Sequence, residues 1–482
     1  MSAAPELYDI YERSNEAVTE EFDVRLPLLE GAVPEQLRGV LFRNGPGRLE
    51  LYGHRYGHLF DGDGHINRFA FDGRGVTYRN RYVRTREFLA EESARRILFR
   101  NFGTNIPGGL LKNLLRTRFK NVANTSVVQH GGKLLALWEA GWPHRLDPGN
   151  LDTLARDDLG GALQNPGSVI ERMVAPELPF SAHPKVCPVT GELFNFGLAA
   201  TGTRSRLCLY RVDAGGRAAA PEFIDLPGGY FIHDFVLTAR HRVFFLTPTA
   251  FDLRKMLLGL APPVQTMRAL PGPTQILVVD RDSTAYRRTE TGACFIFHFP
   301  NGFEDAQGVI FVDGYRMQRF PDLNPRPDRP EEHVKPYLTR YRIDPAGGVS
   351  EQTLTDHTGE LGTIRQDRIS QRHRYAWSIG SAPDRKAPFS TGLLKIDCDS
   401  ASTLFRDFGP ALTGEPVFVP RPGGTDEDDG WLLSMHYVDA ERANHLLVLD
   451  ARDLGTLARL RLPHATPLGF HGTFVAEPRA DL

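Results

Sequence analysis

An apolar run that closes on aspartate recurs along the chain, and this repeat limits the available folds more than any other feature. A turn residue usually follows soon after the aspartate, as in RFAFDGRG, ILVVDRDS and LLVLDARD. The seven aspartates are Asp72, Asp147, Asp213, Asp280, Asp344, Asp397 and Asp450. Their successive separations of 75, 66, 67, 64, 53 and 53 residues suit a four-stranded propeller blade with its loops. The repeat predicts an all-β, seven-bladed β-propeller, with chance recurrence in a β-rich chain as the alternative.

The distribution of turn-forming residues supports this prediction. The chain of 482 residues contains 47 glycines and 35 prolines, which separate short runs rich in Val, Leu, Ile, Phe and Tyr. This pattern is typical of many short strands joined by turns. Helical periodicity is found mainly in residues 91–116 and 251–260. We expect one propeller domain over residues 1–482, with a small helical and loop cap formed by insertions at roughly 90–120 and 250–268.

Charge and cysteine usage exclude several classes of protein. The formal net charge of -2 leaves no overall basic field to attract nucleic acid. The four cysteines have no paired spacing, which fits a reducing cytoplasm better than a disulfide framework. The chain lacks an N-terminal secretory pattern and has no uninterrupted run of eighteen apolar residues. We expect a cytoplasmic protein that neither spans a membrane nor binds nucleic acid.

Residues 53–65, GHRYGHLFDGDGH, place His54, His58 and His65 beside Asp61 and Asp63. Histidines and carboxylates this close suggest a local metal site. In a propeller, however, ligands for an ion on the axis come from separate blades. The glycines and aspartates of FDGDG suit a tight turn with side-chain-to-backbone hydrogen bonds. We therefore predict surface or structural roles for these three histidines.

Three other histidines share one phase of the repeat. They lie 20, 18 and 21 residues after the preceding repeat aspartate, and they are His233, His298 and His471. The innermost strands of a propeller line its axis, so residues at one phase converge there. His183 lies 36 residues after Asp147, so it shares this phase only if the loops of that blade differ in length. A single histidine in an apolar strand is usually a core residue, but three in phase favour a metal site for iron, copper, zinc or nickel.

Glutamates recur near the same phase. Glu360 and Glu415 lie 16 and 18 residues after their repeat aspartates, and we expect Glu139 to lie in an apolar strand, LLALWEAGW, where an unpaired carboxylate would be costly. Metal-bound imidazole usually donates its second N–H to a carboxylate. For each glutamate alone, an ordinary strand or loop role is as good an interpretation as a role beside a histidine. Taken together, the three glutamates favour the prediction that they are carboxylate partners of the histidines.

The chain resembles the carotenoid cleavage oxygenases along nearly its whole length, and within them the bacterial apocarotenoid oxygenase type. The resemblance is carried, in order, by FRNGPG, FDGDG, RYVRTREF, FGTNIPGGLLKN, NVANTSVV, LLALWEAGWPHRLDP, SAHPK, FIHDF, FHFPNGFED, EPVFVPRP and PLGFHGTF. It implies a seven-bladed propeller with a helical cap and one non-haem Fe(II) per chain. The implied iron ligands are His183, His233, His298 and His471. The implied carboxylate partners of the last three are Glu139, Glu360 and Glu415 in that order, and His183 has none.

Two further positions bear on this pattern. Glu360 is followed by Leu361, Gly362 and Thr363, where the family normally has Pro-Arg, so its assignment is the weakest of the three. Thr125, in VANTSVV, matches a family position beside the iron where a threonine methyl crowds a coordination site. Simple strand packing is the alternative role for Thr125.

The resemblance implies cleavage of a conjugated C=C bond of an apocarotenoid by O2, giving two carbonyl products. The central 15,15' bond, which would give retinal, is the expected one. The implied ligand set offers neither an acid nor a nucleophile, so the chemistry must come from oxygen and from the position of the substrate. The cap segments alternate apolar clusters with Arg and Lys, so they would either contact a membrane surface that supplies the substrate or pack on the propeller.

Three other functions compete with this prediction. Stilbene-cleaving relatives resemble one another in having a lysine before the first glutamate and an upstream tyrosine, which bind a phenol. This chain has Trp138 there, and residues 102–109 contain no tyrosine. A non-enzymatic propeller would not need glutamates paired with axial histidines. The third alternative is a zinc hydrolase, but a catalytic zinc usually has three protein ligands rather than four.

Overall fold

The computed structural model describes residues 3–201, 204–321, 323, 334–384 and 389–477. Within these ranges the strands form seven antiparallel sheets of four or more strands, together with two small two-stranded sheets. The seven larger sheets are the blades of a β-propeller, which confirms the predicted fold class. Residues from the innermost strand of every blade line one cavity of about 1280 Å³ along the axis.

The first three blades contain four or five strands each, which follow one another from the axis outward. Blade 1 consists of Gly472–Ala476, Arg38–Arg48, Asp63–Asp72, Val76–Tyr82 and Asp23–Arg25. Blade 2 consists of Ser126–His130, Lys133–Leu137, His144–Leu146 and Thr153–Arg156. Blade 3 consists of Lys185–Val186, Leu193–Thr201, Arg204–Val212 and Glu222–Leu226.

The remaining four blades follow in chain order. Blade 4 consists of Val236–Leu237, His241–Leu246, Thr274–Asp280 and Tyr286–Thr291. Blade 5 consists of Asn301–Glu304 and Phe295–Ile296, both on Ile310–Met317, then Tyr337–Ile343 and Val349–Thr353. Blade 6 consists of Thr358–Thr363, Tyr375–Ser381, Gly392–Asp397 and Ser402–Asp407. Blade 7 consists of Val417–Pro420 and Ala411–Thr413, both on Gly430–Val438, then Ala443–Asp450, Thr456–Arg461 and Leu28–Gly31.

The two ends of the chain close the ring. The last strand, Gly472–Ala476, is the innermost strand of blade 1 and pairs with Arg38–Arg48 from near the N-terminus. Leu28–Gly31 is in turn the outermost strand of blade 7 and pairs with Thr456–Arg461. Blades 1 and 7 therefore each combine strands from both ends of the chain. The ring of blades is therefore closed by backbone hydrogen bonds between strands from the two ends of the chain.

Each repeat aspartate ends or directly follows the third strand of its blade. In six of the seven blades the carboxylate of this aspartate accepts hydrogen bonds from backbone N–H groups of the following turn, as Asp147 Oδ1 does from Gly149 at 2.8 Å and Asn150 at 2.9 Å. The same contact occurs at Asp72, Asp213, Asp280, Asp397 and Asp450. Aspartate stabilises such turns because its short side chain reaches its own backbone. The sequence repeat therefore marks one turn per blade.

The core lies between the blades. Seven apolar clusters fill the seven interfaces between neighbouring sheets, and each cluster takes residues from two blades. In the interface between blades 1 and 7, for example, Leu41 and Phe69 pack with Leu433 and Leu446. All four cysteines are buried, and none of them is paired in a disulfide.

The positions of the helices were only partly predicted. The α-helices of the described residues are Ala3–Ser14, Arg86–Ala94, Val169–Val174 and Leu253–Leu257. Short 3-10 turns are Leu59–Asp61, Leu110–Lys112, Pro263–Thr266, Gln366–Arg368 and Asp439–Glu441. The first and third helices lie outside the regions of predicted helical periodicity. In the region 91–116, the helix ends at Ala94 because Arg95 adopts a left-handed conformation, and turns follow it.

The two predicted cap insertions bind each other. Arg100 in the first insertion is buried, and its guanidinium donates to the carbonyl oxygens of Met256 at 2.9 Å and Ala261 at 3.1 Å in the second. The N–H of Leu115 also donates to the carbonyl of Leu257, at 2.8 Å. The two insertions, residues 90–120 and 250–268, therefore form one structure, which we call the cap.

Candidate metal centre

The seven blades present one residue each at the same level, where the innermost strand begins. In blade order these residues are His471, Thr125, His183, His233, His298, Glu360 and Glu415. Glu360 lies just inside its strand, and the other six lie one to three residues before theirs. The phase shared by the histidines and glutamates in the sequence therefore corresponds to one ring of positions around the axis. His183 is late in the repeat because the connection from the strand Thr153–Arg156 to His183, which contains the helix Val169–Val174, is longer than the connections that lead to the other three histidines.

The structure brings the four predicted histidine ligands together. One ring nitrogen from each histidine lies within 4.8 Å of the others, and the residues are His183, His233, His298 and His471. The Nε2 atoms of His183 and His233 are 3.0 Å apart, and those of His233 and His298 are 3.2 Å apart. All four rings are buried or half-buried.

Three of these histidines each contact a glutamate through Nδ1. The pairs are His233 with Glu139 at 3.0 Å, His298 with Glu360 at 2.6 Å and His471 with Glu415 at 2.7 Å. These are the pairs that the resemblance implies. A carboxylate can only accept, so Nδ1 carries the proton in each pair and a neutral ring keeps a lone pair on Nε2. Among the described residues, no carboxylate is seen to bond the ring of His183.

This arrangement fits a metal ion. Lone pairs on nitrogens about 3 Å apart repel one another unless a cation lies between them. Two imidazole nitrogens on one ion at about 2.1 Å lie roughly 3.0 to 3.4 Å apart, which is the range of the observed separations. Burial and the neighbouring histidines lower the pKa of His183 well below its usual value, which keeps that ring neutral and able to coordinate. The donor set is therefore suited to a transition metal.

Arg43 distinguishes Glu415 from the other two glutamates. Its buried guanidinium lies 2.5 Å from Glu415 Oε2, an oxygen that also accepts from the N–H of Gly472 at 3.0 Å. Despite the opposing effect of burial, His471 and Arg43 lower the pKa of Glu415. In contrast, Oε2 of Glu139 and Oε1 of Glu360 have no hydrogen-bond partner among the described residues. Arg43 lies in the FRNGPG motif but was not predicted as a site residue. A charged residue within an otherwise apolar strand was the sequence signal that could have identified it.

A local distortion of the strand keeps Glu360 on His298. The pairing with the next strand shifts between Glu360 and Thr363, and Leu361 has a positive φ of 52°. The N–H of Leu361 donates to Glu360 Oε2 at 2.7 Å, so it helps to hold the carboxylate against His298. The residues that depart from the family pattern therefore still direct Glu360 toward the cluster.

Thr125 and Glu139 occupy neighbouring positions in blade 2. The carbonyl oxygen of Thr125 accepts from the N–H of His471 at 3.2 Å, and its hydroxyl donates to Asn124 at 3.2 Å. Crowding of a coordination site by the Thr125 methyl stays a prediction. Glu139 lies in a turn two residues past the strand Lys133–Leu137, so its expected placement inside a strand was wrong.

Aromatic rings connect the cluster with the cap. Phe297 lies 5.2 Å from the His233 ring, and Phe231 contacts both His233 and Phe251 of the cap. A second set of rings begins at Phe470, which precedes His471, packs on Phe60 and through it contacts Phe102 of the cap. These rings are half-buried. They form two series of ring contacts from the cap to the histidines, which we call the aromatic walls.

The crowded stretch 53–65 has the structural role that was predicted for its histidines. His54 is exposed, His58 Nε2 contacts the carbonyl of Leu323 at 3.1 Å, and His65 is bonded to Asn80 at 3.0 Å. Within the described residues, none of the three belongs to a group of possible metal ligands.

The aspartates of that stretch hold the cap rather than their own turn. Asp61 accepts from the N–H of Gly103 and the hydroxyl of Thr104, and burial raises the pKa of Asp61 to about 6. Asp63 lies 2.6 Å from Lys120, at the end of the first cap insertion. The expected role of FDGDG as a self-contained turn was therefore incomplete.

A second group of possible ligands lies between blades 5 and 6. Asp313, His373 and Cys398 are all buried and close together. Asp313 already accepts two hydrogen bonds from Arg340, both at 2.8 Å, and contacts His373 Nε2 at 3.0 Å. Burial raises the pKa of the Cys398 thiol well above its usual value, so the thiolate that a metal needs is disfavoured. We assign this group a structural role.

Comparison with known proteins places this geometry in a family. A family model described as retinal pigment epithelial membrane protein matches residues 15–476. Apocarotenoid-15,15'-oxygenase of Synechocystis sp. is 34% identical, over 96% of this chain and 95% of the relative. Lignostilbene-alpha,beta-dioxygenase isozyme III of Sphingomonas paucimobilis is 28% identical, over 92% of each chain. The crystal structure of cobalt-substituted Synechocystis apocarotenoid oxygenase has a TM-score of 0.89 and 32% identity, over 97% of this chain and 99% of that one.

The match extends over nearly all of the described residues, including all seven blades and the histidine cluster. The relatives are named as oxygenases and dioxygenases of carotenoids, apocarotenoids and stilbenes. The chain therefore belongs to the retinal pigment epithelial membrane protein family of carotenoid oxygenases, and it is an oxidoreductase of the dioxygenase type.

Proposed function

We propose that the chain holds one Fe(II) on His183, His233, His298 and His471 and uses O2 to cleave a C=C bond of an apocarotenoid. The observation that supports this most is the convergence of four imidazoles, three of which donate Nδ1–H to a glutamate. These four neutral ligands would hold the iron, and the bound metal would supply the electron density that O2 activation needs. Both oxygen atoms of O2 end on the two carbons of the broken bond, which balances the reaction as two carbonyl products.

The protein's own residues contribute position and exclusion of water. The three glutamates fix the orientation of their imidazoles and, as hydrogen-bond acceptors, increase ligand basicity. The aromatic walls offer flat apolar surfaces for a rigid polyene and keep water from the space beside the cluster. Thr125, at the blade 2 position of the ring, would crowd one side of the metal. Nothing in this set acts as acid or nucleophile.

We propose an apocarotenoid cleaved at the 15,15' bond, which would yield retinal, as the substrate and reaction. The relative with 34% identity carries that activity in its name. Trp138, next to Glu139, offers an indole where stilbene-cleaving relatives would offer a lysine for a phenolic group. A stilbene is the alternative substrate, because a lignostilbene dioxygenase is also among the relatives.

The substrate is tested by reconstituting the metal-free protein with Fe(II) and offering it an apocarotenal or a hydroxystilbene. We expect the apocarotenal, but not the hydroxystilbene, to yield two carbonyl products, one of them retinal. We expect these products only when O2 is present. Products are identified by chromatography with mass spectrometry. Cleavage of the stilbene alone would overturn the proposed substrate, and products formed without O2 would overturn the proposed reaction.

We further propose that the cap contacts a membrane surface from which the apolar substrate is drawn. Four leucines of the first insertion are exposed: Leu110, Leu111, Leu114 and Leu115. Leu111 is 84% and Leu115 69% exposed, with the cations Lys112 and Arg116 beside them. Apolar side chains flanked by cations suit an anionic lipid surface. No helix in the described residues is long and apolar enough to cross a membrane.

Replacing Leu111 and Leu115 together with aspartate is expected to weaken binding to anionic vesicles by about 10-fold or more, because burial of each leucine is worth roughly 1.5–3 kcal/mol and the new charges repel the lipid. Co-sedimentation with vesicles containing phosphatidylserine measures the effect. Leu154→Asp, at an exposed leucine on the outer strand of blade 2, is the matched control and should bind as the unmodified protein does. Equal binding by all three proteins would contradict the proposal.

A further inference from the structure

Asp234 follows a candidate ligand directly, yet its carboxylate does not bond to any of the four histidine rings. The side chain is 2% exposed and accepts four contacts. Oδ1 accepts from the N–H of Phe235 at 2.7 Å and from Lys185 Nζ at 2.9 Å. Oδ2 accepts from the N–H of Phe299 at 3.0 Å and from Lys185 Nζ at 3.1 Å. All the contacts are directed at residues that neighbour candidate ligands in the chain.

These contacts join three blades. Lys185 is two residues after His183 in blade 3, Asp234 follows His233 in blade 4, and Phe299 follows His298 in blade 5. One carboxylate therefore links the backbone segments that carry three of the four histidines. The Nε2 atoms of these three histidines are also those with separations of 3.0 and 3.2 Å.

The link matters because the strands that carry two of these histidines are short. The innermost strands of blades 3 and 4 are the two-residue segments Lys185–Val186 and Val236–Leu237, whereas that of blade 2, Ser126–His130, has five residues. A two-residue strand has few ladder hydrogen bonds to hold the segment before it. A buried carboxylate with charge-assisted bonds is stronger than a neutral contact and sets direction as well as distance.

We propose that Asp234, neutralised by Lys185, is a positioning residue that holds His183, His233 and His298 at the mutual distances a single ion requires. This inference rests on the proposed metal site. It differs from the role of the three glutamates, which orient individual rings, because Asp234 fixes the relative positions of three blades. Removing its charge is therefore expected to loosen the site without removing a ligand.

The test measures affinity for Co(II) by competition with a chromophoric chelator in the full-length protein. We expect Asp234→Asn to weaken Co(II) binding by about 10–100-fold, the range found for groups that support metal ligands. The visible absorption spectrum of bound Co(II) should change as well, because the distances among the ligands change. Lys185→Met, which removes the link to blade 3 only, should weaken binding by about 10-fold.

Asp157→Asn is the matched control. Asp157 is also a buried aspartate with a lysine partner, Lys133 at 2.7 Å, and it accepts from the N–H of Leu159 at 2.9 Å, but it lies on the outer side of blade 2. Its variant should bind Co(II) with unchanged affinity and spectrum even if its thermal unfolding temperature falls. If Asp234→Asn does not fold, Lys185→Met decides the question.

Two results would overturn the inference in distinguishable ways. If the unmodified protein binds one equivalent of Co(II) and both variants bind it equally well with the same spectrum, Asp234 is a purely structural residue. If the unmodified protein binds no stoichiometric metal, the proposed function fails and this inference fails with it.

Discussion

Replacing His298 with alanine is expected to remove stoichiometric iron from the protein and to reduce cleavage of the apocarotenal by more than about 100-fold, since loss of an outer partner alone costs up to that much. The variant removes one of four converging nitrogens and leaves Glu360 without the ring that it contacts at 2.6 Å. Iron per chain is measured by atomic spectroscopy after reconstitution, and cleavage by the appearance of retinal. A thermal unfolding transition like that of the unmodified metal-free protein would show that the variant has lost metal and not its fold.

His54→Ala is the matched control for this prediction. His54 lies in the crowded stretch 53–65, which looks most like a metal site when read as sequence, but its side chain is exposed. Its replacement should leave iron content and cleavage unchanged. Full iron content in His298→Ala, or loss of iron in His54→Ala, would contradict the assignment of the ligands.

Replacing Lys120 with methionine is expected to lower the free energy of unfolding by about 3–5 kcal/mol, the usual cost of breaking a buried ion pair on one side. Lys120 Nζ lies 2.6 Å from Asp63, 2.7 Å from Glu91 and 3.1 Å from the hydroxyl of Tyr56, and all four side chains are buried. Methionine matches the length of lysine but leaves the Glu91 carboxylate buried without its cation. Urea denaturation followed by fluorescence measures the change.

The same substitution should loosen the cap before the blades. Asp63 belongs to blade 1 and Glu91 to the helix Arg86–Ala94, so Lys120 joins the first cap insertion to the propeller. We expect faster proteolysis in residues 95–118. Arg25→Met is the control, because it breaks the exposed pair with Asp72 and should cost about 1 kcal/mol or less. Equal stability of Lys120→Met and the unmodified protein would contradict the assigned role.

The number of blades was predictable because its signal is local. An aspartate that accepts hydrogen bonds from the next few N–H groups interacts only with its own turn. The aspartate therefore recurs in the sequence wherever a blade has this turn, and counting the aspartates counts the blades. The positions of the cap helices were less predictable. The helix Arg86–Ala94 depends on the capping hydroxyl of Thr85 and on the left-handed Arg95, whereas the apolar pattern continues well past Ala94.

The histidines were predictable through the same repeat. His233, His298 and His471 have similar offsets from the repeat aspartate, 18 to 21 residues, because each lies just before an innermost strand. The three histidines of GHRYGHLFDGDGH, by contrast, are close in sequence and serve different local contacts. Spacing within the repeat was therefore a better guide to the metal site than proximity along the chain.

By itself the sequence determined the repeat, the number of blades and the ring of residues at one phase, because these depend on turns and strand lengths within single blades. Only the tertiary structure decided which partners meet across blades. The contacts of Arg43 with Glu415, of Lys120 with Asp63 and Glu91, and of Asp234 with Phe299 join residues 29 to 372 positions apart or in different blades. Such contacts form when the ring of blades closes and the cap folds onto it, and no local pattern encodes which buried groups of distant segments will meet.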